Sequence, residues 1–355
     1  MDFILQPDIY GTSNNTTLMS LLEKVWIKDL RDNDCFGKGT LYILSGFSNF
    51  NGGVRFYDYI ENHIQRGGEC RVILGGSSSQ AMSSQQVVSK LLKIGCDVGV
   101  ICRKAIFHAK CYGYQNDAFK SLVISSGNFT SRGITQNIEA SLIIENDDFQ
   151  MKFDWVKLFN KIESQKIDYY KATLDSDNPV WNLLFDENKR KSVEEQSLSQ
   201  TMIITLSHSD TARIQAERGT KAALGTQYFW LSKDSYDFFP PLDIKNQRGR
   251  KNSYQTLIQM NYVDLGIKSD VRVTFEADNN FDFRLGTGEL RYTKIADEGD
   301  VAAITRIGIR NYEMRIYKKN TEKYDRLLPF ATNYIGHQGK RYGYILNEKF
   351  ASLIG

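Results

Sequence analysis

Four polar residues between positions 108 and 139 are of types that together can act on a phosphate group. His108 and Lys110 lie two apart in FHAKCYGY, Asn128 ends SLVISSGN, and Glu139 begins EASLIIE. Histidine can attack phosphorus or protonate a leaving oxygen, and a neighbouring lysine supplies the positive charge that a metal ion otherwise gives. An asparagine amide can donate to a phosphate oxygen, and a carboxylate can hold an imidazole in one tautomer. The set predicts phosphoryl chemistry that needs no metal ion and no other cofactor.

Three strand-like runs carry these residues, at 107–114, 121–128 and 139–145. Alternate residues of a strand point to the same face, so His108 and Lys110 are expected side by side, while Gly127 is expected to turn the chain and present Asn128. Upstream, apolar runs alternate with helix-like patterns at 41–47, 54–67, 70–76, 83–95 and 96–102. A further helix is expected within 149–165. The alternation predicts βαβ units and an α/β domain whose mixed sheet is flanked by helices.

Near residue 186 the sequence becomes charged and polar, without apolar periodicity, and this change suggests two domains in 355 residues. Residues 1–185 form the predicted α/β domain, 186–200 a charged linker, and 201–355 an all-β domain of short strands, a sandwich or barrel. The linker contains Asp186, Glu187, Glu194 and Glu195. Its acidity raises the hypothesis that it occupies a basic active-site channel as a mimic of DNA.

Charge and cysteine content exclude several classes of protein. The net charge of +3 is mild, so any nucleic-acid surface must be local. The five cysteines are odd in number and contain no CxxC pair, which argues against a disulfide framework or a zinc site. The N-terminus does not resemble a signal peptide and no run is apolar enough to span a membrane, so a cytoplasmic location without membrane attachment is expected.

Basic residues are concentrated in loop-like segments of the second half. The segments 212–225, 244–255 and 279–294 each contain several Arg or Lys side chains. Such side chains neutralise phosphates, and Arg or Gln can also bind base edges through two hydrogen bonds. A solvated loop is the alternative for each segment taken alone, but three of them in one domain favour binding of nucleic acid.

The run HAK followed by SSGN resembles the HxK(x)4D(x)6GSxN signature of the phospholipase D superfamily, over roughly residues 1–175. Three departures point to a subgroup: the Lys-to-Asn spacing is three residues longer, Ser125 replaces the first Gly, and Gln115 stands at the Asp position, with Asp117 nearby in an expected turn. Asn128, Thr130, Gly133, Asn137 and Glu139 are similar to the pattern of the BfiI, NgoFVII and NgoAVII restriction endonucleases. The resemblance implies His108 as nucleophile or acid, Lys110 and Asn128 as phosphate ligands, and Glu139 as the partner of the histidine.

The second half is similar to the recognition domain of the same endonucleases, a pseudobarrel like the plant B-three DNA-binding domain. FDFRLGTG (281–288) and 299–317 carry this likeness, which implies that two arms grip double-stranded DNA, at 212–225 and 279–291. Arg284 is the expected base-reading residue. Its expected companions in DNA binding are Arg213, Gln215, Arg218, Lys221, Asp282 and Arg291.

Only one HxK is present, because His63, His208 and His337 have no Lys two residues later. A phospholipase-D-like reaction uses two histidines, so the resemblance implies a homodimer with one shared active site. It also implies a cognate DNA methyltransferase, and some relatives act beside an accessory ATPase. The expected function is a type II, IIS-like, metal-independent endonuclease. A DNA-binding regulator with an inactive nuclease domain and a lipid phosphodiesterase are the alternatives.

Overall fold

A computed structural model of the chain describes residues 2–6, 17–77, 79–103, 105–146, 149, 152–165, 168–189, 200–232, 235, 238–248, 251–276, 282–335 and 339–355. The chain divides into two compact units, Met1–Val193 and Glu194–Gly355. The division lies inside the expected linker, most of which (190–199) is outside the described residues.

The first unit is built on an eight-stranded mixed sheet in the order β1-β7-β6-β5-β2-β3-β4-β8. Its strands are β1 Asp2–Gln6, β2 Thr40–Ser45, β3 Glu69–Gly75, β4 Asp97–Ile101, β5 Lys110–Gln115, β6 Lys120–Ser125, β7 Glu139–Glu145 and β8 Tyr169–Lys171. The central strands β2, β3 and β4 are parallel, and the remaining pairings are antiparallel. The predicted mixed sheet is confirmed.

Helices cover both faces of this sheet. They are α1 Leu18–Glu23, a π-helical turn Lys24–Lys28, α2 Asp29–Asp32, α3 Phe50–Gly53, α4 Tyr57–Gln65, α5 Gln85–Lys93, α6 Ser131–Thr135, α7 Trp155–Ser164 and a 3-10 turn Pro179–Leu183. Trp155 and Phe159 of α7 pack on Tyr42 and Leu44 from one side. Trp26 packs on the opposite side, where its ring meets those of Phe56 and Tyr112. The resulting core holds β2, β5 and β6 rigidly in place.

The second unit is a ten-stranded sheet in the order β10-β14-β13-β12-β16-β15-β9-β18-β17, with β11 paired to β12, curled into a half-barrel. The strands are β9 Gln200–Thr205, β10 Tyr228–Leu231, β11 Ile244–Arg248, β12 Lys251–Tyr262, β13 Ile267–Glu276, β14 Asp282–Gly286, β15 Val301–Arg306, β16 Asn311–Tyr317, β17 Asn333–Tyr334 and β18 Arg341–Leu346. The β-rich second domain is thereby confirmed.

The described residues of this unit also contain the α-helices α8 His208–Gln215, α9 Glu322–Leu327 and α10 Asn347–Ile354. Leu327 and Phe350, from the last two helices, pack against Ile203 and Val301 of the sheet. Helix α8 lies partly in the segment 212–225, so the loop predicted there is wrong for residues 212–215. The helix begins after Ser207, which forms a capping box with Asp210, and this pair is a helix signal in the sequence.

Candidate functional site

His108 and Lys110 lie in contact at the edge of the N-terminal sheet. Lys110 is the first residue of β5 and is buried, whereas His108 is exposed and precedes the strand rather than lying within it. The Lys110 Nζ lies 2.8 Å from both ring nitrogens of His108 and donates to the His108 carbonyl oxygen at 3.1 Å. Partial burial, and then the charge of Lys110, lower the pKa of His108. The neutral form, which can act as a nucleophile, is therefore favoured near pH 7.

Phe47 connects this pair to Asn128. The backbone N–H of Phe47 donates to the Asn128 Oδ1 at 3.1 Å, and its ring meets the His108 ring edge-on with centroids 6.1 Å apart. Next to it, the Gly46 N–H donates to the Ala109 carbonyl at 2.9 Å. Three of the four predicted residues thus meet where β2 ends. Phe47 was not among the predicted site residues, since its role follows from its position at the end of a buried strand.

Two glycines allow the chain segments to approach closely here. A Cβ on Gly46 would lie 2.6 Å from the Phe107 carbonyl oxygen and 3.1 Å from the His108 Cα. A Cβ on Gly127 would lie 2.5 Å from the Gly133 carbonyl oxygen. The chain bends at Ser126, directly after β6, and Gly127 then packs tightly against α6, because glycine leaves room for a second backbone.

Glu139, the first residue of β7, lies two strands away from His108. Cys111 of β5 pairs with Ile124 of β6, and Ser125 pairs with Ser141 of β7. Two strand spacings amount to about 10 Å. The Glu139 carboxylate accepts hydrogen bonds from the Ser126 hydroxyl and, at 3.1 Å, from the Asn137 side chain. Among the described residues of a single chain, no hydrogen bond or ion pair joins Glu139 to His108.

In the second unit, two of the predicted DNA-binding residues, Arg218 and Arg291, lie over one ring, that of Tyr292. The guanidinium carbons of Arg218 and Arg291 lie 5.5 and 4.8 Å from its centroid. The Arg213 Nε donates to the Leu224 carbonyl at 2.7 Å, and Arg291 donates to that of Ala223. We call Arg213, Arg218, Arg291 and Tyr292, together with Lys221 from the same segment as Arg218, the Tyr292 cluster. Tyr292 was not predicted from the sequence, although it directly follows Arg291.

Arg284 occupies a different position, on β14 near the sheet edge formed by β10. Its guanidinium lies 4.9 Å from the Tyr228 ring centroid and 4.7 Å from that of Trp230, and its Nη1 is 3.5 Å from a carboxylate oxygen of Glu276. Its side chain is about a quarter exposed, at 24%. Aromatic faces and a carboxylate therefore fix its orientation before any ligand arrives.

The two remaining predicted DNA-binding residues are Gln215 and Asp282. The Gln215 amide donates to the Ala296 carbonyl at 2.8 Å, so its N–H groups already tie α8 to a neighbouring loop. Asp282 begins β14, but its side chain lies outside the described residues.

The start of the expected linker packs on the first unit. The Asp186 carboxylate accepts from Gln86 at 2.6 Å, and that of Glu187 accepts from the Phe50 N–H at 2.7 Å. Phe50 is three residues from Phe47, so this acidic segment binds a part of the first unit that is close in sequence to the candidate site. Glu194 and Glu195 lie outside the described residues.

Within the described ranges, no group of three or more His, Cys, Asp or Glu side chains is placed to hold a metal ion. None of the helices in the described part of the chain is both long and apolar enough to cross a membrane.

Two family matches cover most of the chain. Residues 42–162 match the family described as "Cardiolipin synthase, PLD-like domain", and residues 194–355 match "Metal-independent restriction enzyme BfiI DNA binding domain". The first includes all four predicted catalytic residues, and the second coincides with the second compact unit. The chain belongs to the BfiI-like, phospholipase-D-like restriction endonucleases.

Solved structures similar to this BfiI-like endonuclease share 14% identity with it. The N-terminal domain of Helicobacter pylori LlaJI.R1 gives a TM-score of 0.28 over 42% of this chain and 98% of that one. The phospholipase D family member Nuc from Salmonella typhimurium gives 0.25 over 36% and 75%, and NucT from Helicobacter pylori 0.24 over 46% and 91%. No curated protein matches the chain. The membership of the chain in this family is supported by the two family matches.

Proposed function

We propose that this BfiI-like endonuclease recognises a specific sequence in duplex DNA with its second domain and hydrolyses phosphodiesters with its first, without a metal ion. The observation that carries the proposal is the contact between His108, whose pKa is lowered, and Lys110, with Asn128 beside them. The same chain has a BfiI-type DNA-binding domain. Because the two activities lie in separate domains, the cut falls outside the recognised sequence, as in a type IIS enzyme.

The proposed reaction has two displacements at phosphorus. A ring nitrogen of one His108 attacks, a P–N bond forms, and the P–O bond to the leaving nucleoside oxygen breaks. The His108 of a second chain protonates that oxygen and then takes a proton from water, whose oxygen attacks phosphorus and breaks the P–N bond. Lys110 and Asn128 bind the nonbridging oxygens, where negative charge must be stabilised throughout.

The need for a second histidine is what requires a dimer. The chain has one HxK, and the 180° symmetry of an isologous dimer would bring two copies of the same edge together. Glu139, two strands from its own His108, then becomes available to hold the imidazolium at the shared site once the second chain contributes its ring.

An exposed apolar row on the same sheet supports this dimer. Phe3 pairs with Leu142, Leu142 with Ile124, and Ile124 with Cys111, so the four side chains share one face of the sheet. Phe3 is 67% and Ile124 44% exposed. Cys111 directly follows Lys110 in β5, so the row reaches the strand that carries the site but lies on the opposite face of the sheet from the Lys110 side chain. Covering such a row against a second copy removes apolar surface from water.

The test is to incubate the full chain with genomic DNA in excess EDTA and to sequence the fragment ends. We expect discrete ends at a fixed offset from one common sequence, and no loss of rate relative to magnesium-containing buffer. Loss of all cleavage in EDTA, restored by magnesium, would contradict the phosphohistidine mechanism. Random ends would contradict sequence-specific recognition, and binding without any cleavage would favour a regulator with an inactive nuclease domain.

A second experiment addresses the shared site. Wild-type chains are mixed with His108→Ala chains carrying a different affinity tag, and heterodimers are isolated through both tags. A shared site predicts that the heterodimers are inactive, because each cleavage needs both rings. Heterodimers that retained half or more of the wild-type rate would refute a single shared site.

A further inference from the structure

The Tyr292 cluster brings together two segments that are far apart in the sequence. Arg218 comes from the loop after α8, and Arg291 and Tyr292 follow β14, yet both guanidinium groups lie over one tyrosine ring. An aromatic ring attracts guanidinium groups through its negative face and limits their motion. The hydrogen bond from Arg291 to the Ala223 carbonyl fixes these two segments to each other, and the one from Arg213 to the Leu224 carbonyl ties the loop to α8.

The backbone around Tyr292 explains why the ring occupies this position. Tyr292 and Lys294 have φ angles of +67° and +56°, in the left-handed region that favours glycine. Their N–H groups donate to the carbonyls of Arg213 and Ile214, both at 3.1 Å, and so satisfy the last turn of α8. This capping needs only the backbone, which glycine would supply with less strain. The tyrosine side chain is therefore not explained by the cap, whereas its contact with two arginines accounts for it.

The charges of the cluster point to the kind of ligand. Arg213, Arg218, Lys221 and Arg291 form no ion pair with a carboxylate among the described residues. Of the neighbouring acids, Glu217 pairs instead with Lys294, at 3.4 Å. Positive groups held at one ring repel each other unless an anion lies between them. A phosphate, with several acceptor oxygens, fits guanidinium groups that present their N–H donors in a planar fork.

We propose that the Tyr292 cluster is a clamp for the phosphate backbone of DNA, with Tyr292 as the positioning residue that preorganises Arg218 and Arg291. The proposal rests on the proposed function, and it assigns phosphate contacts and base contacts to different residues of the second domain. The clamp supplies affinity that is independent of sequence, whereas Arg284, held on Tyr228 and Trp230, is left to read bases.

The test measures binding of the full chain to duplexes, with His108→Ala in every protein so that the DNA stays intact. Fluorescence anisotropy with several 24-base-pair duplexes of mixed sequence is followed across a series of KCl concentrations. Tyr292→Leu should weaken binding to all duplexes by about tenfold and reduce the slope of log affinity against log salt by about one. Tyr292→Phe keeps the ring and should bind like the parent.

Tyr292→Gly separates positioning from folding. It relieves the left-handed backbone, so the second domain should unfold at an equal or higher denaturant concentration while DNA binding falls as in Tyr292→Leu. The matched control is Phe36→Leu, which removes a ring lying under Arg66 in the other unit, 5.8 Å from its guanidinium, and should leave binding unchanged.

Each other outcome has a definite meaning. Unchanged affinity in Tyr292→Leu, weaker binding with an unchanged salt slope, or failure of Tyr292→Phe to bind would overturn the clamp while the proposed function survives. A parent protein that binds none of the duplexes at low salt would instead remove DNA binding itself, and with it the proposed function.

Discussion

Lys110 has two expected effects at the candidate active site, one on the substrate and one on His108. Its ammonium group is buried at the base of the site, where it can neutralise a phosphate more strongly than a lysine in open water. The same charge is the second cause, after burial, of the lowered pKa of His108. The electrostatics of the site therefore depend on one residue, and both effects can be measured on one variant.

Lys110→Met should lower the cleavage rate by about a hundredfold or more, the usual loss when a group that stabilises transition-state charge is removed. It should also raise the pKa of His108 toward its ordinary value, because a neighbouring positive charge disfavours the imidazolium. NMR titration of histidine-labelled full chain reports this directly. Lys93→Met, at the end of α5, is the control and should change neither quantity. An unmoved His108 pKa in Lys110→Met would contradict the electrostatic coupling.

His63 shows how a histidine can be structural in the same domain. It is fully buried, its Nδ1 accepts from the Gly37 N–H at 3.0 Å, and its Nε2 lies 3.2 Å from the Gly39 carbonyl oxygen. This pattern requires the neutral ring protonated at Nε2. Burial is the main cause of its lowered pKa.

Stability of the first domain should therefore decrease as the pH falls below about 6.5, the ordinary histidine value. In that range the unfolded chain binds a proton at residue 63 that the folded chain does not, until the pH falls below the lowered folded pKa. Urea unfolding between pH 5 and 8 measures the slope, in a His108→Ala background because the pKa of His108 is lowered too. His63→Gln should flatten the slope, and exposed His208→Gln should not. A slope that persists in His63→Gln would assign it to other groups.

At the scale of elements, a buried ion pair fixes α8 to β10. The Lys340 Nζ lies 2.7 Å from the Asp210 Oδ2 and donates to the Trp230 carbonyl, and both side chains are almost fully buried, at 3% and 0% exposure. Asp210 also accepts from the N–H groups of Ser207 and Trp230. The first turn of α8 is thereby held to the strand that carries the rings under Arg284. Burial lowers the pKa of Lys340, and the Asp210 carboxylate opposes that change.

Lys340→Met should reduce the free energy of unfolding of the second domain by about 3–5 kcal/mol, because the Asp210 carboxylate is left buried without its cation. The double variant Lys340→Met/Asp210→Asn should recover part of this loss. Arg326→Met, which removes an exposed pair with Glu322, should cost less than about 1 kcal/mol. Chemical denaturation compares the three variants. A loss for Lys340→Met no larger than that for Arg326→Met would mean that the pair contributes little.

At the scale of the whole molecule, two units of different construction each contribute one half of the function. The first unit exposes an apolar row on the sheet that carries the candidate site, and the second carries arginines oriented by aromatic rings. Under the proposed function, cleavage at a chosen sequence needs both units. The proposed dimer then links oligomeric state to activity, which can be tested on the full chain.

Ile124→Lys places an ammonium group in the apolar row and should weaken dimerisation by about a hundredfold, since burying an unpaired charge costs several kcal/mol. Sedimentation should then show monomers at concentrations where the wild type is dimeric, with cleavage lost and DNA binding retained. Leu257→Lys is the control, because Leu257 is equally exposed at 45% but lies in the second unit. A dimeric, active Ile124→Lys protein would place the interface elsewhere.

The sequence alone was sufficient for the fold classes, and it supplied the candidate residues for the chemistry. Strands and helices of the first domain follow from the spacing of apolar residues, because burial of one face is a local property of the chain. The set His108, Lys110 and Asn128 could be named as candidates because the functional groups of side chains are read directly from the sequence. Arg213, Arg218, Lys221 and Arg291 could be named for the same reason.

The tertiary structure decided which of these groups meet. Three placements depend on contacts between segments far apart in the chain. Phe47 lies between His108 and Asn128, Glu139 lies two strands from its own histidine, and Tyr292 lies beneath two arginines. Helix α8 was also not predicted from the sequence, because it is short and its apolar stripe is narrow. Local patterns specify elements and reactive groups, whereas distances between them arise only when the sheets bring distant segments together.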